Sequence, residues 1–419
     1  MAHQLTIEIH DNAKGWLEAA TLRFLSKFEV ELEYELDYAS TYFGRKDRYA
    51  LSLAYPVDTG YYRGPLPGFV LDLIPQGEPL KRLMGRYRIS DINDYEAILS
   101  RVPLASPGNI RVQEPWLAIE AERPQYSFEG FTREEVVRRH VDFVEYMEAA
   151  GAPIGGTSGA GGGSPKFLLR EDKAGKLHAE GMLDDSKTIC AYLVKLPFTD
   201  SRNSVELLQV EQSYYELLRE LPLRTGASLE ICDNVLFIRR FDRQVVPDGS
   251  LHYHGLESLY SAHNIIIPGA HLKHEDNLRL IAKHSNQVEA DIAEYIKRDL
   301  INKILANTDN HGRNTSFIKT DKSIQLSPLY DVTAMRFFMS DFIVELTKWE
   351  KPRETLMARL LWIEEELKID RQLLLNEMRE LSRSLSGIEQ RLRELKVPED
   401  FIVRSEDERR ATLAEMKRL

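Results

Sequence analysis

The run Asn307-Thr308-Asp309-Asn310-His311-Gly312-Arg313-Asn314 places seven polar residues and one glycine directly after an apolar segment. In that segment, residues 291–305, the isoleucines and leucines recur near helical spacing, which predicts a buried helix. A polar loop therefore begins where a buried helix ends. Within the loop, the carboxylate of Asp309 precedes the amide of Asn314 by five positions.

This spacing is typical of phosphoryl transfer to a hydroxyl group. One carboxylate positions the hydroxyl and accepts its proton, while an amide and a second carboxylate hold magnesium. Protein kinases arrange these groups as Asp-x-x-x-x-Asn, followed by a metal-binding Asp after a hairpin. Asp331 occupies that later position, behind a predicted turn at residues 320–323 and a return strand at 324–326. A turn rich in Asn and Gly, followed by an ordinary hairpin, would give the same pattern.

Length and composition restrict the classes of protein that fit. The chain has 419 residues, which predicts two or three domains or lobes, and a net charge of −11 argues against broad non-specific binding of nucleic acid. The sequence contains no run of 18 apolar residues, so no membrane span is expected. No signal peptide is recognisable at the amino terminus. Cys190 and Cys232 lie far apart without CxxC spacing, which favours two buried thiols in a reducing cytoplasm.

Residues 1 to about 115 predict a strand-rich region. Apolar residues alternate with glutamates over residues 28–36, which indicates a strand with one buried and one acidic face. Further strands are predicted at residues 5–9 and 50–55, and a capping box at residues 132–135 predicts a helix start.

A glycine-rich segment, residues 155–166, lies between the capped helix and a predicted strand. Glycines allow close backbone approach, so N–H groups in such a segment can hold phosphates; a flexible linker is the competing interpretation. Downstream, Lys195 ends an apolar strand, where a nucleotide phosphate and a carboxylate would compensate its charge. A lysine that extends into solvent is the alternative. Glu211, on the next predicted helix, is the candidate partner carboxylate.

Several motifs together resemble those of the HipA-like serine/threonine kinases, toxins of bacterial toxin–antitoxin pairs. The resemblance covers nearly the whole chain. It is carried by residues 51–77, the loop ending Pro165-Lys166, Val194-Lys195-Leu196-Pro197, Arg240-Phe241-Asp242-Arg243, the loop at residues 307–314, and Pro328-Leu329-Tyr330-Asp331-Val332.

The resemblance assigns roles to individual residues. It implies that Asp309 is the catalytic base, with His311 beside it, and that Lys195 binds the nucleotide. It also implies that Asn314 and Asp331 bind magnesium. Arg313 departs from the lysine common in the family, which keeps the charge and changes its geometry.

In the glycine-rich loop, Gly161, Gly162 and Gly163 would approach the phosphates of ATP. The family's regulatory serine falls on Gly159 in an alignment without gaps, and on Ser158 after one inserted residue. Ser158 is therefore the first candidate for autophosphorylation, followed by Ser164 and Thr157.

The expected fold is α+β and two-lobed, similar to protein kinases. Residues 1–115 would form a β-rich amino-terminal subdomain, residues 116–245 the amino-terminal kinase lobe, and residues 246–419 a helical lobe. The implied cofactors are ATP and Mg²⁺, and the implied partners are a protein substrate, an aminoacyl-tRNA synthetase in some relatives, and a cognate antitoxin through which DNA is contacted. No direct nucleic-acid contact and no membrane contact are expected. Two alternatives stay open: a small-molecule kinase, and an inactive kinase fold that acts as a regulatory binding module.

Overall fold

The computed structural model describes the chain apart from residues 1–2, 76–77, 106, 123–128, 139–142, 144–145, 148–152, 155–165, 198–201, 268, 338–344 and 352. The described residues pack into two units. Unit 1 comprises Met1–Phe198, Phe237–Ile266 and Phe317–Ser323, and unit 2 comprises Thr199–Leu236, Ile267–Ser316 and Ile324–Leu419. The three-domain division expected from the sequence stays a prediction.

The strands and helices are numbered in chain order. The strands are β1 His3–Asp11, β2 Gly15–Ser26, β3 Glu29–Tyr34, β4 Tyr61–Gly64, β5 Ile110–Val112, β6 Pro153–Ile154, β7 Lys166–Asp172, β8 Leu177–Ala179, β9 Thr188–Lys195, β10 Glu230–Cys232, β11 Val235–Arg239, β12 Arg243–Val245, β13 Leu251–Tyr253, β14 Gly255–Ser258, β15 Leu272–Lys273, β16 Ser316–Lys319, β17 Ile324–Leu326 and β18 Thr347–Lys348. The helices are α1 Leu36–Tyr42, α2 Val70–Leu73, α3 Glu78–Arg86, α4 Tyr95–Arg101, α5 Gln113–Glu122, α6 Arg133–Val137, α7 Arg202–Arg219, α8 Leu259–Ala262, α9 His274–His284, α10 Val288–Ile304, α11 Leu356–Leu367, α12 Arg371–Ser384, α13 Ile388–Glu394, α14 Glu399–Arg404 and α15 Glu406–Lys417.

The amino-terminal part of unit 1 is an antiparallel sheet with strand order β4-β3-β2-β1-β5. The alternation predicted over residues 28–36 is present in β3, where Val30, Leu32 and Tyr34 are buried. The strand is shorter than predicted, because Phe28 is exposed beside the preceding turn and Leu36 begins α1.

The strand predicted at residues 50–55 is absent from the described structure, which has an isolated bridge between Ser52 and Tyr55 there. Side chains take the place of a sheet partner for this backbone. Leu51 N donates to the hydroxyl of Tyr34 at 2.9 Å, and Leu53 N donates to the carboxylate of Glu257 at 3.0 Å. Apolar composition alone could not distinguish this arrangement from a paired strand.

The second sheet of unit 1 has β7 at its centre. β9 pairs with one edge of β7, while β6 and β8 pair with the other. Both central strands were predicted from the sequence. The register places Lys166 at the start of β7 directly opposite Lys195 at the end of β9.

Unit 2 is mainly helical, and α9 to α15 lie in it. Leu374, Met378 and Leu381 of α12 and Leu392 of α13 are buried, so the predicted apolar stripe is a core face. Gly387, with a φ of +75°, begins α13 in the left-handed region and interrupts the stripe. Cys190 and Cys232 are free but half-buried, rather than buried as predicted. The described part of the chain contains no helix both apolar enough and long enough to reach across a membrane.

A buried network of charges ties the motif at residues 240–243 to the rest of unit 1. Glu180 accepts from Arg170 at 2.7 Å and from Arg240 at 2.9 Å. Asp242 accepts from Arg240 at 2.6 Å and from Arg243 at 3.0 Å. Because buried charges are costly unless paired and hydrogen-bonded, removal of one member should destabilise unit 1.

This network predicts a pH dependence of stability. Burial alone would raise the pKa of Asp242, but the guanidinium groups of Arg240 and Arg243 outweigh it and lower the pKa to about 2. Since the folded pKa is below the ordinary value, the stabilisation is present above about pH 4 and is lost as the pH falls towards about 2. A shift of this size corresponds to roughly 2 kcal/mol.

We therefore expect Asp242→Asn to lower the free energy of unfolding at neutral pH. Between about pH 4 and about pH 2, the free energy of unfolding should fall less in the variant than in the wild type. Urea unfolding followed by circular dichroism at several pH values measures both effects. The exposed Asp58, changed to Asn, is the matched control in unit 1. Equal acid dependence in Asp242→Asn and the wild type would show that the carboxylate is not stabilised by its arginines.

Candidate functional site

The polar loop begins at a defined helix end. α10 finishes at Ile304, and Ala306 adopts a left-handed φ of +53°. Ala306 N donates to Lys303 O at 3.3 Å and Asn307 N donates to Asn302 O at 2.8 Å. This is the Schellman arrangement, which satisfies the last carbonyls of a helix and reverses the chain. Residues 307–314 then run without regular secondary structure.

Side-chain amides hold the backbone of the loop around Asp309. Asp309 N donates to Asn307 Oδ1 at 3.3 Å, and Asn314 Nδ2 donates to Asp309 O at 2.7 Å. Asn314 N also donates to His311 O at 2.9 Å. The predicted residues Asp309, His311 and Asn314 are therefore brought together, and all are buried.

The tautomer of His311 follows from its hydrogen bonds. Arg313 N donates to His311 Nδ1 at 3.1 Å, so Nδ1 acts as the acceptor. A neutral imidazole has one donor and one acceptor nitrogen, so Nε2 carries the proton. Nε2 lies 3.4 Å from Asp309 Oδ1, with both side chains buried. His311 thus directs an N–H towards Asp309 Oδ1.

The other end of the Asn314 amide fits a metal ion. Its Nδ2 is engaged by Asp309 O, which identifies the remaining atom as the carbonyl oxygen. This Oδ1 is buried and has no hydrogen-bond partner within the described part of the chain. A buried acceptor without a partner is costly, and an amide oxygen is a ligand that Mg²⁺ accepts.

Asp331 lies on a segment that is attached to this loop. The preceding residue, Tyr330, donates its hydroxyl to Arg313 O at 2.6 Å, and the same hydroxyl is 2.6 Å from Ser316 Oγ. Asp331 has a left-handed φ of +58°. Such a backbone is uncommon for a residue other than glycine, although Asp tolerates it better than most.

No group of three or more His, Cys, Asp or Glu side chains suited to a metal ion occurs among the described residues. Magnesium bound together with nucleotide phosphates needs only one or two carboxylates. Asn314 Oδ1 and the Asp331 carboxylate are hard oxygen donors of the kind it prefers, so the residues present fit this metal.

Charged side chains on α10 support the segment that leads to Asp331. Arg298 donates to Ser327 O at 2.7 Å and to Glu294 Oε1 at 2.8 Å. Glu294 Oε1 also accepts from Arg224 N at 3.1 Å, and Arg224 O accepts from Leu329 N at 2.8 Å. These supporting residues were not predicted from the sequence, although the charges that cluster within an apolar helix are a signal that could have indicated them.

The remaining predicted residues are placed as follows. Lys195 is buried at the end of β9 in unit 1, and Glu211 is buried in α7 of unit 2. The glycines and hydroxyl residues of the predicted phosphate loop lie outside the described residues: Gly161, Gly162, Gly163, Thr157, Ser158 and Ser164.

Lys166 ends one of the motifs that resemble the family, but it was not among the site residues predicted from the sequence. It is buried directly opposite Lys195 in the β7–β9 register, so the two side chains leave the same face of the sheet. Like charges directly opposite each other are unfavourable, and this pair concentrates positive charge immediately after the glycine-rich segment. Its signal in the sequence was a lysine that follows Pro165 at the start of an apolar strand.

Comparisons with known proteins agree over most of the chain. Residues 158–388 match the HipA-like C-terminal domain, and residues 16–113 match the HipA N-terminal domain. A putative kinase from Sinorhizobium fredii, Y4dM, is 31% identical over 106 residues, which are 25% of this chain and 24% of that protein. The chain therefore matches about a quarter of the length of this curated relative.

Solved structures are also similar. HipA of the Shewanella oneidensis MR-1 toxin–antitoxin system, solved with HipB and operator DNA, has a TM-score of 0.65 and 19% identity, covering 99% of this chain and 97% of that chain. At this identity the likeness establishes the fold alone, and the predicted α+β, kinase-like fold class is confirmed. The Helicobacter pylori proinflammatory kinase CtkA has a TM-score of 0.36 and 14% identity, over 59% of this chain and 94% of that chain. That likeness is too low to support an argument.

Proposed function

This chain belongs to the HipA-like family, and on that premise we propose that it is an ATP- and magnesium-dependent serine/threonine protein kinase. The observation that supports the proposal best is the buried arrangement of Asp309, His311 and Asn314, in which Asn314 Oδ1 has no hydrogen-bond partner among the described residues. Acceptor oxygens and a fixed carboxylate are the groups that phosphoryl transfer requires.

Asp309 is the proposed catalytic base. His311 directs its Nε2 proton towards Asp309 Oδ1, and the carboxylate of Asp309 would accept the proton of a serine or threonine hydroxyl. The backbone of Asp309 is fixed on both sides by the amides of Asn307 and Asn314. Such fixation contributes to catalysis because positioning and electrostatics account for most of the rate in phosphoryl transfer.

Asn314 and Asp331 are the proposed magnesium ligands. Magnesium held by these residues would neutralise charge on the nucleotide phosphates. Within this chain, Asn314 Oδ1 is directed by the bond from its Nδ2 to Asp309 O, and Asp331 is fixed through the Tyr330 hydroxyl. The same loop would thereby hold both the base and a metal ligand.

Lys195 and Lys166 are the proposed phosphate-binding lysines of unit 1. Their register on β9 and β7 places two ammonium groups on one face of the sheet, directly after the segment that contains Gly161, Gly162 and Gly163. Lysine ammonium groups bind phosphates as point charges. The role of Glu211 as the carboxylate partner of Lys195 stays a prediction from the sequence.

The family supplies the proposed biological setting. HipA of Shewanella oneidensis was solved with HipB and DNA, and we propose that this chain is likewise a toxin with a protein antitoxin, through which it would contact DNA. We place it in the cytoplasm, where a cellular protein such as an aminoacyl-tRNA synthetase would be the substrate.

The first prediction of this proposal concerns the base. Asp309→Asn should lower phosphate transfer by roughly 10²–10⁴-fold, because proton acceptance is lost, while Mg-ATP still binds. Transfer from radiolabelled ATP to a test protein and calorimetric titration of Mg-ATP measure the two properties. Transfer by the variant within about threefold of wild type would exclude Asp309 as the base.

The second prediction concerns the metal. Asp331→Ala should weaken ATP binding in the presence of magnesium, along with transfer, since a ligand of the bridging metal is lost. Calorimetric titration with and without magnesium measures the difference. Asp248→Ala, which removes an exposed loop carboxylate, is the control and should bind Mg-ATP normally. Unchanged Mg-ATP affinity in Asp331→Ala would contradict the assignment, and normal binding without any transfer in wild type would favour an inactive binding module.

The third prediction concerns autophosphorylation. A phosphate on Ser158, or on Ser164 or Thr157, would add about −1.5 to −2 charges beside the phosphates of ATP. We expect wild type incubated with Mg-ATP to gain phosphate between Gly155 and Lys166 and then to bind ATP weakly. Peptide mass spectrometry and an ATP-binding assay test this, with Asp309→Asn as the control that should gain none. A kinase that modifies its substrate but never this peptide would contradict the prediction.

A further inference from the structure

The side chain next to the proposed base makes a set of hydrogen bonds that the site described above does not use. Asn310 Oδ1 accepts from Leu346 N at 2.9 Å and from Thr347 N at 3.1 Å. Asn310 Nδ2 donates to Thr347 O at 2.9 Å, and Thr347 Oγ1 donates back to Asn310 O at 2.6 Å. The amide of Asn310 therefore pairs with the start of β18 much as a neighbouring strand would.

β18 is itself firmly held within unit 2. It pairs in parallel with β15, and Leu272 N donates to Leu346 O at 2.9 Å. The next residue after the strand, Trp349, stacks on His274 with ring centroids 4.9 Å apart. Trp349 Nε1 also donates to Asp299 Oδ2 of α10 at 2.9 Å. Asn310 is thus attached to a strand that is fixed to both α9 and α10.

The attachment matters because the loop has no ladder of its own. Residues 307–314 lie outside helices and strands, so side chains must satisfy the backbone groups that a ladder would otherwise pair. Asn307 and Asn314 hold the N–H and the carbonyl of Asp309. The next residue, Asn310, is held by Thr347: its carbonyl accepts from the Thr347 hydroxyl, and its side chain accepts from Thr347 N. Together these contacts fix the peptide that carries the base.

We propose that Asn310 is a positioning residue for phosphate transfer, which acts by holding the peptide after Asp309 against β18. The proposal rests on the proposed kinase function and deepens it. Asn310 touches neither nucleotide nor substrate in this scheme. Its effect is on the orientation of the Asp309 carboxylate, and a displacement of about 1 Å in such a group can lower a rate by about 10²-fold.

The test uses the full-length chain and compares steady-state kinetics for ATP and for a protein acceptor. Asn310→Ala should lower kcat by roughly ten- to a hundredfold and leave the KM for ATP within about twofold, because ATP binding does not require a precisely oriented base. Thr347→Val, which removes the hydroxyl at similar volume, should lower kcat by a smaller factor. Thr347→Ser keeps the hydroxyl and should restore kcat towards wild type.

A double variant separates positioning from general destabilisation. Thr347 Oγ1 donates to the backbone carbonyl of residue 310, which Asn310→Ala keeps. Because both side chains hold the same peptide, the losses of activity from Asn310→Ala and Thr347→Val should be less than additive in the double variant. The matched control is Asn286→Ala. Asn286 Oδ1 accepts from Ile324 N at 2.6 Å, so this variant also removes an amide-to-strand bond in unit 2 but leaves the base untouched. It should retain kcat within about twofold of wild type.

The outcomes distinguish the two proposals. If wild type transfers phosphate, Asp309→Asn does not, and Asn310→Ala has wild-type kcat, the positioning role is wrong while the kinase assignment stands. If Asn310→Ala and Asn286→Ala lose activity equally, or Thr347→Ser is as impaired as Thr347→Val, the effect is on stability and the positioning role is again wrong. If wild type transfers no phosphate to any acceptor, the proposed function fails and the positioning role fails with it.

Discussion

The charged residues buried on α10 are the constraint on which unit 2 depends. Asp291, Glu294, Arg298 and Asp299 all lie within this helix and are almost fully inaccessible to solvent. A charge removed from water must be paired and hydrogen-bonded, or the fold loses several kcal/mol by rough estimate. Each of these side chains therefore determines where another segment of the chain can lie.

The partners of those charges include groups on segments close to the candidate site. Asp291 accepts from Leu326 N at 2.8 Å, and Arg298 donates to Ser327 O at 2.7 Å, so the approach to Asp331 is held against α10. Asp299 accepts from Trp349 Nε1 at 2.9 Å, directly after β18. Since α10 also ends in the loop that carries Asp309, one helix arranges the proposed base, the segment that contains Asp331 and the strand that holds Asn310.

The sequence predicted which residues of the candidate loop lie together better than it predicted the contacts that hold them in place. The spacing of Asp309 and Asn314 is a property of neighbouring residues, so motif reasoning found it. The end of the helix was also predicted from the sequence. The reversal of the chain at Ala306 was not, because an alanine with a left-handed backbone carries no compositional signal. The incorrect prediction of a strand at residues 50–55 has a related cause. The backbone there donates a hydrogen bond to the side chain of Glu257, and no local pattern reveals a partner that far along the chain.

The contacts across β7 and β9 show a related limit. Each strand was predictable from its own apolar run, yet the register that sets Lys166 opposite Lys195 depends on pairing between them. A shift of one residue would have moved one lysine to the other face of the sheet. The sequence shows Lys166 directly after Pro165, but its place opposite Lys195 could be recognised only once the pairing was known.

Amides are well suited to holding a loop that must present a carboxylate. Asn307, Asn310 and Asn314 each use a side-chain oxygen or nitrogen on backbone groups around Asp309. An amide both donates and accepts, so it can replace a strand partner without adding charge.

An aspartate at position 310 could still accept from the Leu346 and Thr347 amides, but it would lose the bond to Thr347 O. It would also place a second negative charge beside Asp309, and repulsion between carboxylates is strong in a buried site. Neutral amides avoid that repulsion, which explains why the loop is rich in asparagine although no helix or strand requires it.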